Sequence, residues 1–530
     1  MTPQIQIVVL LFVVVAAVAV LAARLKTPAA ILLVLTGVLL ALIPGLPTIE
    51  LAPGLVLLIV LPPVIYSASF QMSWREFRFN LRPITLLAVG CVVFTTVSVA
   101  AAAHLLLHLS WGVGFVLGAI VSPPDSVAPL SIARRLQIPR RILVVLEGEG
   151  LANDATALIL YRFAIVAVSV NAFSPARAVG TFAAIVVGEI IWGLCVGWVM
   201  LRLRRWVDQP PVELILAVLT PFLAYWPPEH LGGSGVLATV TTGLYASWNG
   251  LQLISSATRL QGVFFWGFFT YLIEGMIFLI TGLQARTLVE RVSHFTLREL
   301  LTSAAVISAV VIVARFVWIY PATYIPRWVS ASLRRRDPSP PWQYVFALSF
   351  TGVRGIVSLA AALAIPLTTA SGAPFPDRDL ILLLTFAVIL VTLVGLGLLL
   401  PSVIRALGLA QAGSRERRAD KAEEHAARRQ AITAVIERLE QLKTERDLPD
   451  DIVGPLRARH QHRLAHVARS GGEEADRDYT GVHDELELLL IAAEREHVNE
   501  LFRQGKLKDE GRRRIERELD LREAHFAREE

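Results

Sequence analysis

The chain has 530 residues, 54% hydrophobic and 18% charged, with a mean hydropathy of +0.57. Its apolar residues stand in long blocks, which excludes an ordinary soluble globular protein and indicates a polytopic membrane protein. Arginines at the ends of those blocks account for the net charge of +6 without a nucleic-acid partner, and Cys91 and Cys195 read as buried small hydrophobes, so neither a disulfide framework nor a metal or other cofactor is called for.

Stretches of about 20 apolar residues are long enough to cross a bilayer. They predict thirteen helices near 4–24, 28–44, 50–69, 83–107, 111–133, 142–169, 176–201, 211–228, 231–248, 260–284, 298–324, 342–366 and 378–404. The first block is too long for a signal sequence and ends in Arg24 and Lys26, so it is kept as a membrane helix. Arginine and lysine gather in alternate connections, such as "WREFRFNLR", "ARRLQIPRR", "RLRRW" and "SLRRR". That bias puts the N-terminus outside and the C-terminus in the cytoplasm of a plasma membrane protein. Residues 1–405 form the membrane domain, and from about Gln411 to the end the chain is densely charged and helical in pattern, a separate cytoplasmic tail that could be regulatory. In that tail Ile432, Val435, Ile436, Leu439 and Leu442, and again Leu486, Leu489, Leu490 and Ala493, recur at helical spacing and predict two faces to be covered by each other or by a second subunit.

An ionisable residue at bilayer depth costs about 2.5–3.5 kcal/mol on insertion scales, so each one needs a partner, water or a task. In "AIVSPPDSVAPL" Asp125 follows two prolines, which must break the fifth helix and free carbonyls that can hold a cation beside the carboxylate. Ser126 next to it is a candidate ion ligand, and Ser122 a candidate cavity residue. In "EGEGLANDATALILYRF" the sixth helix carries Glu147, Glu149, Asn153 and Asp154. At ~1.5 Å rise per residue, Asp125 lies roughly 12 Å and Asp154 roughly 18 Å in from the connecting loop, so the two reach similar depth. A partly desolvated carboxylate there binds a proton or a small cation, and not both together, which is the chemistry of exchange.

Glu189 on the seventh helix and Glu274 in "YLIEGMIFLITG" on the tenth read first as locally satisfied polar groups, with a place at a subunit interface or a role in funnelling cations as the alternatives for both, and a cavity position for Glu274. On the twelfth helix Gly352 and Gly355 flank Arg354 and predict a second interruption. Helices five and twelve run in opposite directions, as an inverted repeat would place two broken helices crossing at the midplane. Arg354 keeps its charge and is expected to pair with Glu149, with Glu147 as the alternative partner or a residue at the cavity entrance.

"NDATALILY" preceded by an acid, "SPPDSVAPL", "EGMIFLITGL" and "GVRGIVSLAAALAIP" together resemble the monovalent cation:proton antiporter family, in its NhaP-like Asn-Asp branch. The resemblance spans residues 4–405. It implies an all-α homodimer of thirteen-helix subunits, with a mobile core near 83–169 and 298–404 and dimerisation and linker helices in the remainder. Asp154 would carry the ion and proton, with Na+ held at Asp154 and Asp125 and with Asn153 beside them, while Glu149 and Arg354 would form an ion bridge across the core. The activity implied is electroneutral exchange of Na+, or alternatively Li+ or K+, for H+ in pH and sodium homeostasis, by a secondary transporter rather than an enzyme. This sequence departs from the pattern at Gly150, where many relatives carry serine, at Ser126, where relatives often have proline, and at Ser67, where some place an acid. Two other readings are a K+/H+ antiporter gated by its tail and, remotely, an intramembrane aspartyl protease using Asp125 and Asp154.

Overall fold

The computed structural model describes residues 3–44, 53–170, 175–207, 209–292, 295–470, 474–504 and 506–526. Met1–Gly413 and Ser414–Glu530 form two compact units. Each is helical, and among the described residues β-pairing is limited to an isolated bridge between Thr368 and Pro374.

The apolar blocks of the first unit become α1 (Pro3–Leu25), α2 (Ala29–Ala41), α3 (Pro53–Gln71) and α4 (Leu81–Leu107), and then a helix in two pieces, α5a (Trp111–Val121) and α5b (Val127–Arg135). Next come α6 (Arg140–Val170), α7 (Pro175–Arg205), α8 (Pro210–His230), α9 (Val236–Leu253), α10 (Ser256–Leu283) and α11 (Leu297–Val329). A second divided helix follows, α12a (Trp342–Phe350) and α12b (Ile356–Leu363), and α13 (Arg378–Ala406) closes the unit. Nine helices among the described residues are long and apolar enough to cross a membrane, with α2 and α5a as shorter apolar ones. The first residues of the expected helix at 50–69, up to residue 52, lie outside the described residues.

Starts and stops follow local chemistry. Ser110 and Ser255 accept hydrogen bonds from backbone N–H groups three residues on, capping α5a and α10. Thr296 and Glu299 make a reciprocal capping box at the start of α11. Helix α5 stops at Val121 because Pro123 and Pro124 supply no backbone donors, and α12 stops at Phe350 just before the glycine-flanked Arg354.

Packing separates two sets of helices. In one, α4 lies on α5a and α11, α6 on α5a, and α12b and α13 on α5a. In the other, α9 packs on α3 and α7, and α10 on α2 and α1. Between α2 and α10 the backbones nearly touch at Gly37 and Gly282, where any side chain would overlap the facing helix, the small-residue approach by which membrane helices gain dispersion energy.

In the second unit α14 (Leu409–Arg446) enters from the first, followed by α15 (Asp450–Ser470), α16 (Glu474–Arg503) and α17 (Asp509–Phe526). Arg495 bonds Asp520 and Glu523, and Arg522 bonds Glu494, holding α16 to α17 around buried Ile491, Val498 and Leu519. The covered stripe of α16 is therefore Ile491 and Val498, not Leu486, Leu489 and Leu490, which stay exposed, and Val435 of α14 is exposed while Ile432 is buried. Periodicity alone marked a face but not which neighbour would arrive to cover it.

Candidate ion-binding site

The two divided helices meet at their breaks. Asp125 N–H donates to the Val353 carbonyl at 2.7 Å, bridging the two non-helical stretches. Each break leaves backbone groups that must find partners in a medium without water. Arg354 supplies them on one side: its Nε donates to Val121 O at 2.9 Å, its Nη2 to Ser122 O at 3.2 Å and its Nη1 to Gly352 O. A fixed cation thus closes the carbonyl end of α5a, where the helix dipole is negative. On the other side Asp125 Oδ1 accepts from Val127 N–H at 2.9 Å at the start of α5b, where the dipole is positive.

The expected pairing of Arg354 with Glu149 is not the one formed. Glu149 is buried against Arg315 of α11, with Nη1–Oε1 at 2.5 Å and Nη2–Oε2 at 2.8 Å. Arg354 cannot serve Glu149 because three carbonyls at the breaks already take its N–H groups. Arg315 escaped the sequence reading, although it carried the same signal as the others: a lone arginine in "AAVISAVVIVARFVWIY" needs a buried acid as much as Arg354 does.

Asp154 and Asp125 line one cavity of about 430 Å³, together with Ser126, Ser67, Glu147 and Glu274. Both aspartates are half-buried. Asn153 is fully buried, and its Nδ2 donates to the Pro124 carbonyl at 2.6 Å, tying α6 to the broken stretch of α5. Its Oδ1 and Asp125 Oδ2 are buried oxygens that receive no hydrogen bond. Oxygen acceptors left without donors are suited to a hard cation, which replaces its hydration shell with such atoms.

Glu147 lines the cavity and pairs with Arg134 at 2.7 Å, so it is not the partner of Arg354. Ser67 lines the wall and accepts from Gln71 Nε2 at 3.1 Å. Ser122 does not reach the cavity; its hydroxyl donates back to Ala119 O at 3.2 Å, as serines after a helical turn do when no better acceptor faces them. Glu189 is locally satisfied, accepting from the backbone N–H groups of Ser234, Gly235 and Leu237 at the start of α9. Glu274 is different: it faces the cavity and accepts no hydrogen bond from the described residues, so the cavity alternative, not local satisfaction, describes it.

The departure at Gly150 has a steric explanation. A side chain at Gly150 would overlap the Ser126 hydroxyl, so the hydroxyl missing from α6 is replaced from α5 in the same place. Gly355 is likewise obligatory, since a Cβ there would overlap the Asp125 carboxylate.

Residues 8–406 match the family model described as sodium/hydrogen exchanger, transmembrane. The chain belongs to the sodium/hydrogen exchanger family. An uncharacterized Na+/H+ exchanger of Mycobacterium tuberculosis is 35% identical over 513 residues, covering 96% of this chain and 93% of the relative. The sodium, potassium, lithium and rubidium/H+ antiporter of Bacillus pumilus is 33% identical over 384 residues, 69% of this chain and 56% of its own. In fold the chain is similar to the sodium proton antiporter MjNhaP1 of Methanocaldococcus jannaschii, with a TM-score of 0.60 and 18% identity over 77% of this chain and 98% of that one. The chain is thus an all-α, multi-pass membrane protein of a cation/proton antiporter family, and the resemblance read from its four motifs is borne out.

Proposed function

We propose that this chain exchanges Na+ for H+ by alternating access, one cation per proton, with Asp154 as the carrier carboxylate. The observation that carries the reading is the placing of Asp154 and Asp125 in one cavity beside two unpartnered buried oxygens, Asp125 Oδ2 and Asn153 Oδ1. When Asp154 is ionised, a cation entering the cavity meets those oxygens; when Asp154 takes a proton, the attraction falls and the cation leaves. Because Asn153 is neutral and Asp154 is the group discharged by either ion, the charge crossing in each direction is equal. Such exchange ignores a membrane potential worth about 2.3 kcal/mol per charge per 100 mV.

In this reading the helices near 83–169 and 298–404 form the mobile core, the remaining helices of 1–405 form a homodimer and linkers, and residues 411–530 form a regulatory tail. The protein sits in the plasma membrane with the N-terminus outside and the tail in the cytoplasm, serving pH and sodium homeostasis. Li+ and K+ compete with Na+ as cargo, a breadth supported by the similarity to the sodium, potassium, lithium and rubidium/H+ antiporter of Bacillus pumilus.

The test is proton flux in inside-out vesicles, followed by a pH-sensitive dye as Na+, Li+ or K+ is added. Wild-type vesicles are expected to dissipate the gradient and Asp154→Asn vesicles to do nothing. Clamping the potential with K+ and valinomycin at 0 and about −100 mV should leave the Na+-driven rate unchanged. Cation-dependent flux surviving in Asp154→Asn, or a rate that follows the potential, refutes the carrier or the stoichiometry respectively.

A further inference from the structure

Away from the cavity, three arginines from the ends of three membrane helices converge on one carboxylate. Asp337, in the link between α11 and α12a, receives Arg82 Nη2 at 3.1 Å, Arg141 Nη2 at 2.6 Å and Arg327 Nη2 at 2.6 Å. Arg82 stands at the start of α4, Arg141 at the start of α6 and Arg327 in the last turn of α11, so two helix starts and one helix end meet at Asp337. Three guanidinium groups against one carboxylate leave two positive charges uncompensated within the cluster. Arg327 is fully engaged, with its Nε on Asp337 O at 3.1 Å and its Nη1 on Thr323 O at 2.5 Å. Arg82 is not: its Nε and Nη1 are buried and have no acceptor. Buried guanidinium donors without acceptors are rare enough in folded proteins to need a reason.

Beside the cluster lies a pocket of about 60 Å³, edged by Arg82, Arg141 and Arg327 and continued along the helices by Leu86, Leu87, Val345 and Leu348. The polar edge is at helix-end level, where lipid headgroups lie, and the apolar wall runs toward hydrocarbon depth. A guanidinium fork matches two phosphate oxygens at once, and its charge matches an anionic headgroup but not a zwitterionic one. Basic pockets between membrane helices are the expected form of an anionic-lipid site.

We infer that Arg82, Arg141 and the apolar wall below them bind one anionic phospholipid, its phosphate taking the unmet N–H groups of Arg82 as that side chain turns outward and an acyl chain lying on the partly exposed Leu86 and Leu348. The lipid clamps the ends of α4, α6 and α11 together, because the arginines come one from each helix.

The test uses the full-length protein, purified and delipidated in an uncharged detergent, with its unfolding midpoint measured after adding phosphatidylglycerol, phosphatidylcholine or inorganic phosphate. Phosphatidylglycerol is expected to raise the midpoint by about 2–4 °C more than phosphatidylcholine, the size produced by a ligand well above its Kd. Inorganic phosphate should produce no such rise, since it cannot use the apolar wall. Arg82→Gln should lose more than half of the phosphatidylglycerol increment, while Arg286→Gln, which removes a surface arginine paired with Glu290, should keep it. An equal increment in Arg82→Gln, no increment in wild type, or the same rise with phosphate alone overturns the proposal, the last identifying a free-anion site. If Arg82→Gln does not survive purification, Arg82→Lys takes its place: it keeps the charge and loses the fork, and an undiminished increment there also overturns the site.

Discussion

Glu149 and Arg315 form a fork-on-fork pair whose side chains are 2% and 1% exposed. Arg315 also donates to the Leu348 carbonyl from Nε at 3.2 Å and Nη2 at 3.0 Å, so one guanidinium joins α6, α11 and α12a. Removing one member of a buried pair leaves an uncompensated charge and costs about 3–5 kcal/mol, whereas replacing both by apolar residues of similar size is often near neutral. Arg315→Met is therefore expected to lower the unfolding midpoint sharply, and Glu149→Leu added to it should recover most of the loss. A double-mutant cycle on Glu149 and Arg354 should show much weaker coupling than one on Glu149 and Arg315. Equal couplings would mean that Glu149 leans on both arginines.

Gly355 permits the crossing of the two breaks by having no side chain against the Asp125 carboxylate. Gly355→Ala must push Asp125 or the α12 break aside, an overpacking cost of about 1–3 kcal/mol. The expected outcome is folded protein with at least a tenfold weaker apparent Na+ affinity in the vesicle assay. An unchanged Na+ dependence would show that the Asp125 carboxylate need not hold this position.

Gly150 and Ser126 should behave as a coupled pair, because the Ser126 hydroxyl occupies the space of a Gly150 side chain. Gly150→Ser alone is expected to reduce transport, and Ser126→Ala alone to change the order of Na+, Li+ and K+. Combining the two removes the closer overlap, the one with the Ser126 hydroxyl, and returns a hydroxyl from α6, so the double variant should transport better than Gly150→Ser. Strictly additive losses would argue that the two side chains do not share one space.

Glu274 faces the cavity from α10 without a hydrogen bond from the described residues. A carboxylate in that place raises the local cation concentration without holding the ion itself. Glu274→Gln should raise the Na+ concentration for half-maximal flux several-fold and leave the maximal rate within about twofold, the pattern of lost attraction rather than lost chemistry. Loss of the maximal rate as well would move Glu274 from the wall into the exchange step.

Much of this architecture is legible in the residues themselves. Helix positions follow from apolar block length, and the breaks at 122–126 and 351–355 follow from Pro123, Pro124 and the glycines around Arg354, because backbone chemistry is local. Rise per residue on two adjacent helices also puts Asp125 and Asp154 at similar depth, and the two line one cavity. What only the tertiary structure decides is which side chains meet. Two arginines, Arg315 in α11 and Arg354 in the break of α12, sit buried among apolar residues, and counting along the chain cannot tell which faces Glu149; the tertiary packing does, and it leaves Arg354 to the freed carbonyls of the breaks. The exchange of a hydroxyl between Gly150 and Ser126, the cavity position of Glu274 and the gathering of Arg82, Arg141 and Arg327 around Asp337 are likewise contacts across long sequence separations. Local propensity is silent on such contacts, since they depend on how whole helices lie against one another.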